Sequence, residues 1–123
     1  MSRVLWANYL LDGVVVSDRL DKPALYRHIR ALDKLSRRLG CEPFSALCDG
    51  SGKRVAGPNG PWCAADKACA QLMALQQHLE QQPVRFGWWR DDSRAVLAEL
   101  QQSIDLAWQI AGRQSLFNFS VVL

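Results

Sequence analysis

The sequence predicts an α+β domain in which helices cover one face of a small sheet, in the order β-β-α-α-α-β. Three observations predict it. An Asp12-Gly13 pair sits between two β-prone runs, Trp6-Ala7-Asn8-Tyr9-Leu10-Leu11 and Val14-Val15-Val16-Ser17, and Asp-Gly between such runs is the composition of a two-residue hairpin turn. Three later stretches place apolar residues at helical spacing. The final run, Phe117-Asn118-Phe119-Ser120-Val121-Val122-Leu123, alternates apolar and polar residues with the period of a half-buried strand. A two-stranded ribbon is marginal alone, so the last strand is expected to join it.

The first helix is expected from Asp21-Lys22-Pro23 to about Leu39. Asp21 has the chemistry of an N-cap, Pro23 suits the first turn, and Gly40 suits the C-terminal cap. Leu25, Ile29, Leu32, Leu35 and Leu39 form its apolar stripe, and Arg27, Arg30, Lys34, Arg37 and Arg38 its basic face. Residues 41–60 read as a long connection, with one short helical turn at Phe44–Cys48 and a mobile Gly-rich loop near 49–60. The second helix should start near Pro61 and end before Pro83. Its apolar arc, from Trp62 through Cys69, Leu72, Met73 and Leu75 to Leu79, is wide enough to meet two neighbours.

Val84-Arg85-Phe86-Gly87-Trp88-Trp89-Arg90 then breaks the helical pattern. It is short for a helix and reads as a strand or an ordered loop. Asp91-Asp92-Ser93 supply capping chemistry for a third helix, which runs to about Gly112 on a stripe of Val96, Leu97, Leu100, Ile104, Ala107, Trp108 and Ala111.

A chain of 123 residues is expected to fold as one domain spanning 1–123. Its net charge of +3 slightly favours an acidic partner and does not demand nucleic acid. No secretory signal or membrane span is visible, so a cytoplasmic location and no membrane are expected. In that reducing compartment Cys41, Cys48, Cys63 and Cys69 are expected to be free thiols. They are separated by six, fourteen and five residues, without the tight pairs a zinc site uses.

The residues Trp6-Ala7-Asn8-Tyr9-Leu10, Asp12-Gly13, Val15 and Ser17-Asp18, the Leu25-Tyr26 helix and the Phe117-Asn118-Phe119-Ser120-Val121-Val122 ending resemble a group of small uncharacterised bacterial proteins. The likeness covers about half the chain. It implies a shared fold and assigns no functional residue.

The chemistry-bearing residues offer little for catalysis. His28 falls within the first helix's apolar stripe, where a histidine bonded to a carbonyl is the simplest reading; a thiol–imidazole pair with one of the cysteines is the sharper one. His78 lies on a polar face. Gly50-Ser51-Gly52-Lys53-Arg54 has the wrong spacing for a phosphate loop. Asp91 and Asp92 are accounted for as caps. The sequence therefore predicts no catalytic residue, no cofactor and no metal.

Two surfaces remain. One is the basic face of Arg27, Arg30, Lys34, Arg37 and Arg38, for which solvation is a sufficient explanation. The other is Arg85, Trp88, Trp89 and Arg90, because Trp and Arg are enriched at binding hot spots. Adjacent residues of an extended chain point opposite ways, so one tryptophan is expected in the core and one outside, with core packing of both ranked slightly ahead of an interface and base stacking behind either. These features point to a non-enzymatic bacterial protein that binds another protein, of the immunity or accessory kind, with a homodimer allowed. A nucleic-acid-binding module using the basic helix is the alternative, and a thiol enzyme or cysteine metal site ranks third.

Overall fold

The computed structural model describes residues 3–52 and 61–122. The chain opens with β1 (Val4–Leu11) and β2 (Val14–Ser17), an antiparallel hairpin. Asp12 and Gly13 both take positive φ, 54° and 77°, as a two-residue turn matched to strand twist requires. The helices are α1 (Pro23–Arg27), α2 (Ile29–Arg38), α3 (Ala65–Gln81) and α4 (Ser93–Ile110). The sheet is completed by β3 (Cys48–Gly52), β4 (Cys63–Ala64) and β5 (Leu116–Val122). No described helix is long and apolar enough to cross a membrane.

The expected joining of the chain's two ends is present. β5 pairs antiparallel with β1 from Val4↔Val122 to Leu10↔Leu116. One face of this ladder presents Leu5, Ala7, Phe117, Phe119 and Val121 to the helices, which contribute Leu25, Leu32, Leu72, Leu75, Val96 and Leu100 to the same core. The alternating polar residues on the other face are also buried. Asn8 Nδ2 donates to Asn118 Oδ1 and to Ser120 Oγ, both at 2.9 Å, and Asn118 Nδ2 donates to the Pro61 carbonyl at 3.1 Å.

The expected 41–60 connection is corrected in part. It holds the short helical turn, Phe44–Leu47, but then becomes β3, which pairs in parallel with β5 at Cys48↔Phe119 and Asp49↔Ser120. Asp and Gly are poor strand formers, and only the exposed edge of β5 recruits this segment. β4 takes a further stretch of that edge at Cys63↔Phe117 and Ala64↔Leu116. It claims residues expected to be helical, so α3 begins at Ala65. The remainder of the Gly-rich stretch, 53–60, lies outside the described residues.

The expected first helix is two helices broken at His28, whose φ of −111° and ψ of 25° leave the helical region. Its C-terminal end is as read. Gly40 takes φ of 76°, its N–H donates to Arg37 O, and the Cys41 N–H reaches back to Ser36 O, the paired bonds of a glycine-terminated helix. In α4, Trp108 is 66% exposed rather than part of the core stripe, and Ile110 is buried in that stripe instead.

Asp21 does not cap α1. Its Oδ1 accepts the Leu5 N–H, and Asp18 Oδ1 accepts the Ala7 N–H. The cap comes from α4, where Glu99 Oε1 accepts the Leu25 N–H at 2.9 Å. Lys22 is fully buried, donating to Asp18 Oδ2 at 2.6 Å and to the Leu20 carbonyl at 2.7 Å. Desolvation pulls its pKa below the ordinary lysine value, against the opposing pull of Asp18. Removing one member of such a pair strands the other charge. Lys22→Met is expected to destabilise the protein by about 3 kcal/mol or more. Asp18→Asn with Lys22→Met, which keeps an acceptor for Ala7 and removes both charges, should lose less. Urea unfolding midpoints check both; equal losses would contradict the stranded-charge account.

Candidate functional site

The segment between α3 and α4 must cross from one helix end to the other without secondary structure. It does so as a tied loop. Phe86 is its anchor, 2% exposed, with its ring 5.5 Å from the His28 ring. The Asp92 N–H donates to Phe86 O at 2.8 Å, and the Phe86 N–H donates to Asp91 Oδ1 at 3.0 Å. Arg85 turns back on the loop, donating from Nε to Gly87 O and from Nη2 to Trp88 O. Gly87 takes φ of 99°, and a Cβ there would stand 2.5 Å from the Arg90 carbonyl, so the turn needs glycine.

The tied loop displays both tryptophans. Trp88 is 82% and Trp89 85% exposed, with ring centroids 5.7 Å apart. The expectation that one of them enters the core is overturned. The chain is turning rather than extended here, and Phe86 fills the core position.

Beneath the tip lies Asp92, 7% exposed. Its Oδ2 accepts from His28 Nε2 and from Arg27 Nη1, each at 2.8 Å. Arg90 Nε stands 3.7 Å from Oδ1. The hydrogen bond from His28 is the main cause that holds the Asp92 carboxyl below its usual pKa, with Arg27 adding to it against desolvation. The two adjacent aspartates have separate tasks. Asp91 accepts from Phe86 N, Ser93 N and Ser93 Oγ, and these bonds lower its pKa too. Asp92 makes no side-chain cap bond. It ties the α1–α2 break to the start of α4.

His28 is therefore bonded to a carboxylate, not to the expected carbonyl, and no thiol lies in its hollow. Sequence reasoning found Arg27, His28 and Asp92 singly and missed their union, which spans 64 residues. One signal was available: a helix start needs one capping aspartate, and this one has two.

Arg27, His28, Gly87, Trp88, Trp89, Arg90 and Asp92 line a hollow of about 350 Å³. A second hollow of about 570 Å³ shares Arg27 and His28 and adds Tyr26, Ile29, Arg30 and Ala31. The fold thus brings together Arg27, Trp88, Trp89 and Arg90, with Arg30 alongside. It does not bring Lys34, Arg37 or Arg38 to them. These are exposed farther along α2, and Arg37 lines another hollow with Cys41 and Lys67. Arg85 is spent on the loop's own carbonyls.

The lining of the Trp88–Trp89 hollow contains no Ser, Thr, Cys or Lys. It offers two guanidiniums, an imidazole paired with a carboxylate, and two aromatic rings. Among the described residues no three His, Cys, Asp or Glu side chains gather to hold a metal. Comparison with known proteins finds no match: no family model, no curated protein and no solved structure pairs with this chain.

Two expectations follow. A carboxyl whose folded pKa lies below its ordinary value of 3.8 contributes stability that is whole above that pH and lost as pH falls through the folded value. Asp92→Asn should therefore destabilise the protein at neutral pH and flatten the acid limb of its stability curve. Thermal unfolding of both proteins across the acid range checks this; parallel acid limbs would contradict it. The thiols give the second. Burial pushes the Cys48 pKa up to about 12, and burial also raises Cys63 and Cys69. Cys48 should resist iodoacetamide in the folded protein at pH 8, and chelator should leave the fold intact. Mass spectrometry and circular dichroism read the two outcomes.

Proposed function

We propose that this chain is a binding protein rather than an enzyme, that its partner is another protein, and that the Trp88–Trp89 tip is the centre of the contact. The observation that carries this reading is the pair itself: two adjacent tryptophans, 82% and 85% exposed, held out by a loop fastened at both ends. Leaving indole in water is unfavourable, and a loop that only needed to connect two helices would be served by polar residues. Covering both rings would remove on the order of 300 Å² of side-chain surface from water. Arg27 and Arg90 flank them, so the tip pairs the two residue types most enriched at hot spots. The fastening adds a second advantage, because a preformed loop loses little entropy on association. A cytoplasmic immunity or accessory protein would use such a tip to hold one target.

A second reading, binding of single-stranded nucleic acid, has one observation in its favour: the aromatic tip lies beside Arg27 and the start of the basic α1–α2 face. Stacked bases and a cationic strip are what such a site uses.

Immobilised protein should retain one specific protein partner. Trp88→Ala with Trp89→Ala should weaken that complex by about 2 kcal/mol or more, roughly thirty-fold, while circular dichroism stays unchanged. Retention of generic DNA or RNA with a steep loss in salt, and no protein retained, would favour the second reading. A partner that binds the double variant as tightly as the parent chain would sink the first.

A further inference from the structure

We propose that the partner meets this tip with a carboxylate beside an apolar side chain, the carboxylate seated between Arg27 and Arg90 and the apolar group laid over the tryptophans. This rests on the reading of the tip as a protein contact and names what that contact recognises.

The charge count at the tip comes first. Arg27, Arg85 and Arg90 stand against Asp91 and Asp92. Asp92 is buried and Asp91 exposed, and both carboxylates are already engaged. Asp91 is held by Phe86 N, Ser93 N and Ser93 Oγ, and Asp92 Oδ2 by His28 and Arg27. Three guanidiniums against two engaged carboxylates, one of them buried, leave the tip net positive.

The donors come next. Arg85 spends its guanidinium on the Gly87 and Trp88 carbonyls. Arg27 gives Asp92 one Nη1 bond and is 59% exposed. Arg90 is 82% exposed, and its Nε lies 3.7 Å from Asp92 Oδ1, too far for a hydrogen bond. A guanidinium carries five donors, so both arginines keep most of theirs for an incoming group. The fork of donors matches a planar carboxylate two-to-two.

The tryptophans make the pairing count. An ion pair in water contributes little, and one roofed by aromatic rings is screened less. The same rings need an apolar cover, so acid and apolar group must arrive side by side. A basic segment would meet guanidiniums and leave them unpaired, which is the costly arrangement. A nucleic-acid strand fits less well. Lys34, Arg37 and Arg38 line neither hollow at the tip, where Arg30 alone continues the cations beyond Arg27 and Arg90. The two rings also contact each other at 5.7 Å, leaving no slot between them for a base.

Fluorescence anisotropy of labelled probes tests this with the full chain. The probes are a short peptide alternating Asp and Glu with Leu and Phe, its counterpart with Lys at each acidic position, and oligo(dT). The acidic peptide should bind, with affinity falling as salt rises. The lysine counterpart should not. Arg27→Glu with Arg90→Glu should weaken binding by about tenfold or more, and so should Trp88→Ala with Trp89→Ala. Arg90→Gln alone removes no hydrogen bond and sets no like charge beside Asp92, and it should shift affinity in the same direction with circular dichroism unchanged, so loss of loop structure is not the explanation. Absence of binding by the acidic peptide, tighter binding of oligo(dT), or acidic-peptide binding untouched by the arginine reversals would each overturn the proposal. The two readings fail separately. A captured protein partner that needs the tryptophans and ignores the reversals overturns the carboxylate contact alone. A partner that ignores the tryptophans overturns the tip itself.

Discussion

The β1–β5 ladder is the constraint on which the other elements depend. It fixes the sheet face that Leu5, Ala7, Phe117 and Phe119 offer to the helices, and each edge then sets what can follow. β2 covers β1 only from Asn8 to Leu11, which would leave the Leu5 and Ala7 backbone groups open on that side. Buried orphan amides are costly. The chain closes the gap without a strand. Asp18 N and Lys22 N donate to the Ala7 and Leu5 carbonyls, while the Asp18 and Asp21 carboxylates accept the Ala7 and Leu5 N–H groups. This blunts an edge that could otherwise pair with another chain. It also fixes where the chain turns into α1, and hence where Arg27 and His28 lie.

From that point the site follows from one surplus residue. The start of α4 needs one aspartate to satisfy Phe86 and Ser93, and Asp91 does so. Asp92 is left to face inward, with Arg90 3.7 Å away as its one cation from the loop itself. The break at His28 brings imidazole and guanidinium to the same oxygen. A buried ion cluster of this kind is weak as a source of stability, since desolvation offsets most of the attraction. What it supplies is placement: α1, α2 and α4 share one carboxylate, and the Trp loop is stretched across it with Phe86 against the His28 ring.

What could be read in the sequence is what neighbours in the sequence decide. The Asp12-Gly13 turn, the Gly40 cap, the turn at Phe44–Leu47 and the alternation in β5 each rest on a few consecutive residues. Residues that owe their state to a distant partner were illegible. Cys48–Gly52 has the composition of a loop and is a strand only because β5 has an edge to fill. His28 sits at helical spacing, yet the helix breaks there and its ring bonds Asp92, a partner 64 residues away. Asp21 reads as a cap and bonds Leu5, since Glu99 from α4 has taken the cap. At the site the residue types were visible, in Arg85, Trp88, Trp89, Arg90 and Arg27, but their geometry was not. Alternation gave one tryptophan to the core, whereas the positive φ at Gly87 abolishes alternation there.

The contrast between the two acidic sites supports the proposal that the tip is a contact surface. Asp18 and Lys22 form a pair with no exposed surface on the lysine, whose ammonium donates to the Asp18 carboxylate and the Leu20 carbonyl. Their charges cancel, and nothing remains for an outside group. At Asp92 the carboxylate is equally buried, but its arginines are not. Arg27 and Arg90 are 59% and 82% exposed, so the carboxylate is engaged by His28 and one Arg27 donor while the other guanidinium donors stay available. The same ion-pair chemistry is closed in one place and left open in the other. The open one is where the chain also holds two tryptophans out in water on a fastened loop. A purely structural cluster would need neither the surplus donors of Arg27 and Arg90 nor the exposed rings, and their convergence from α1 and the loop is the observation that favours recognition.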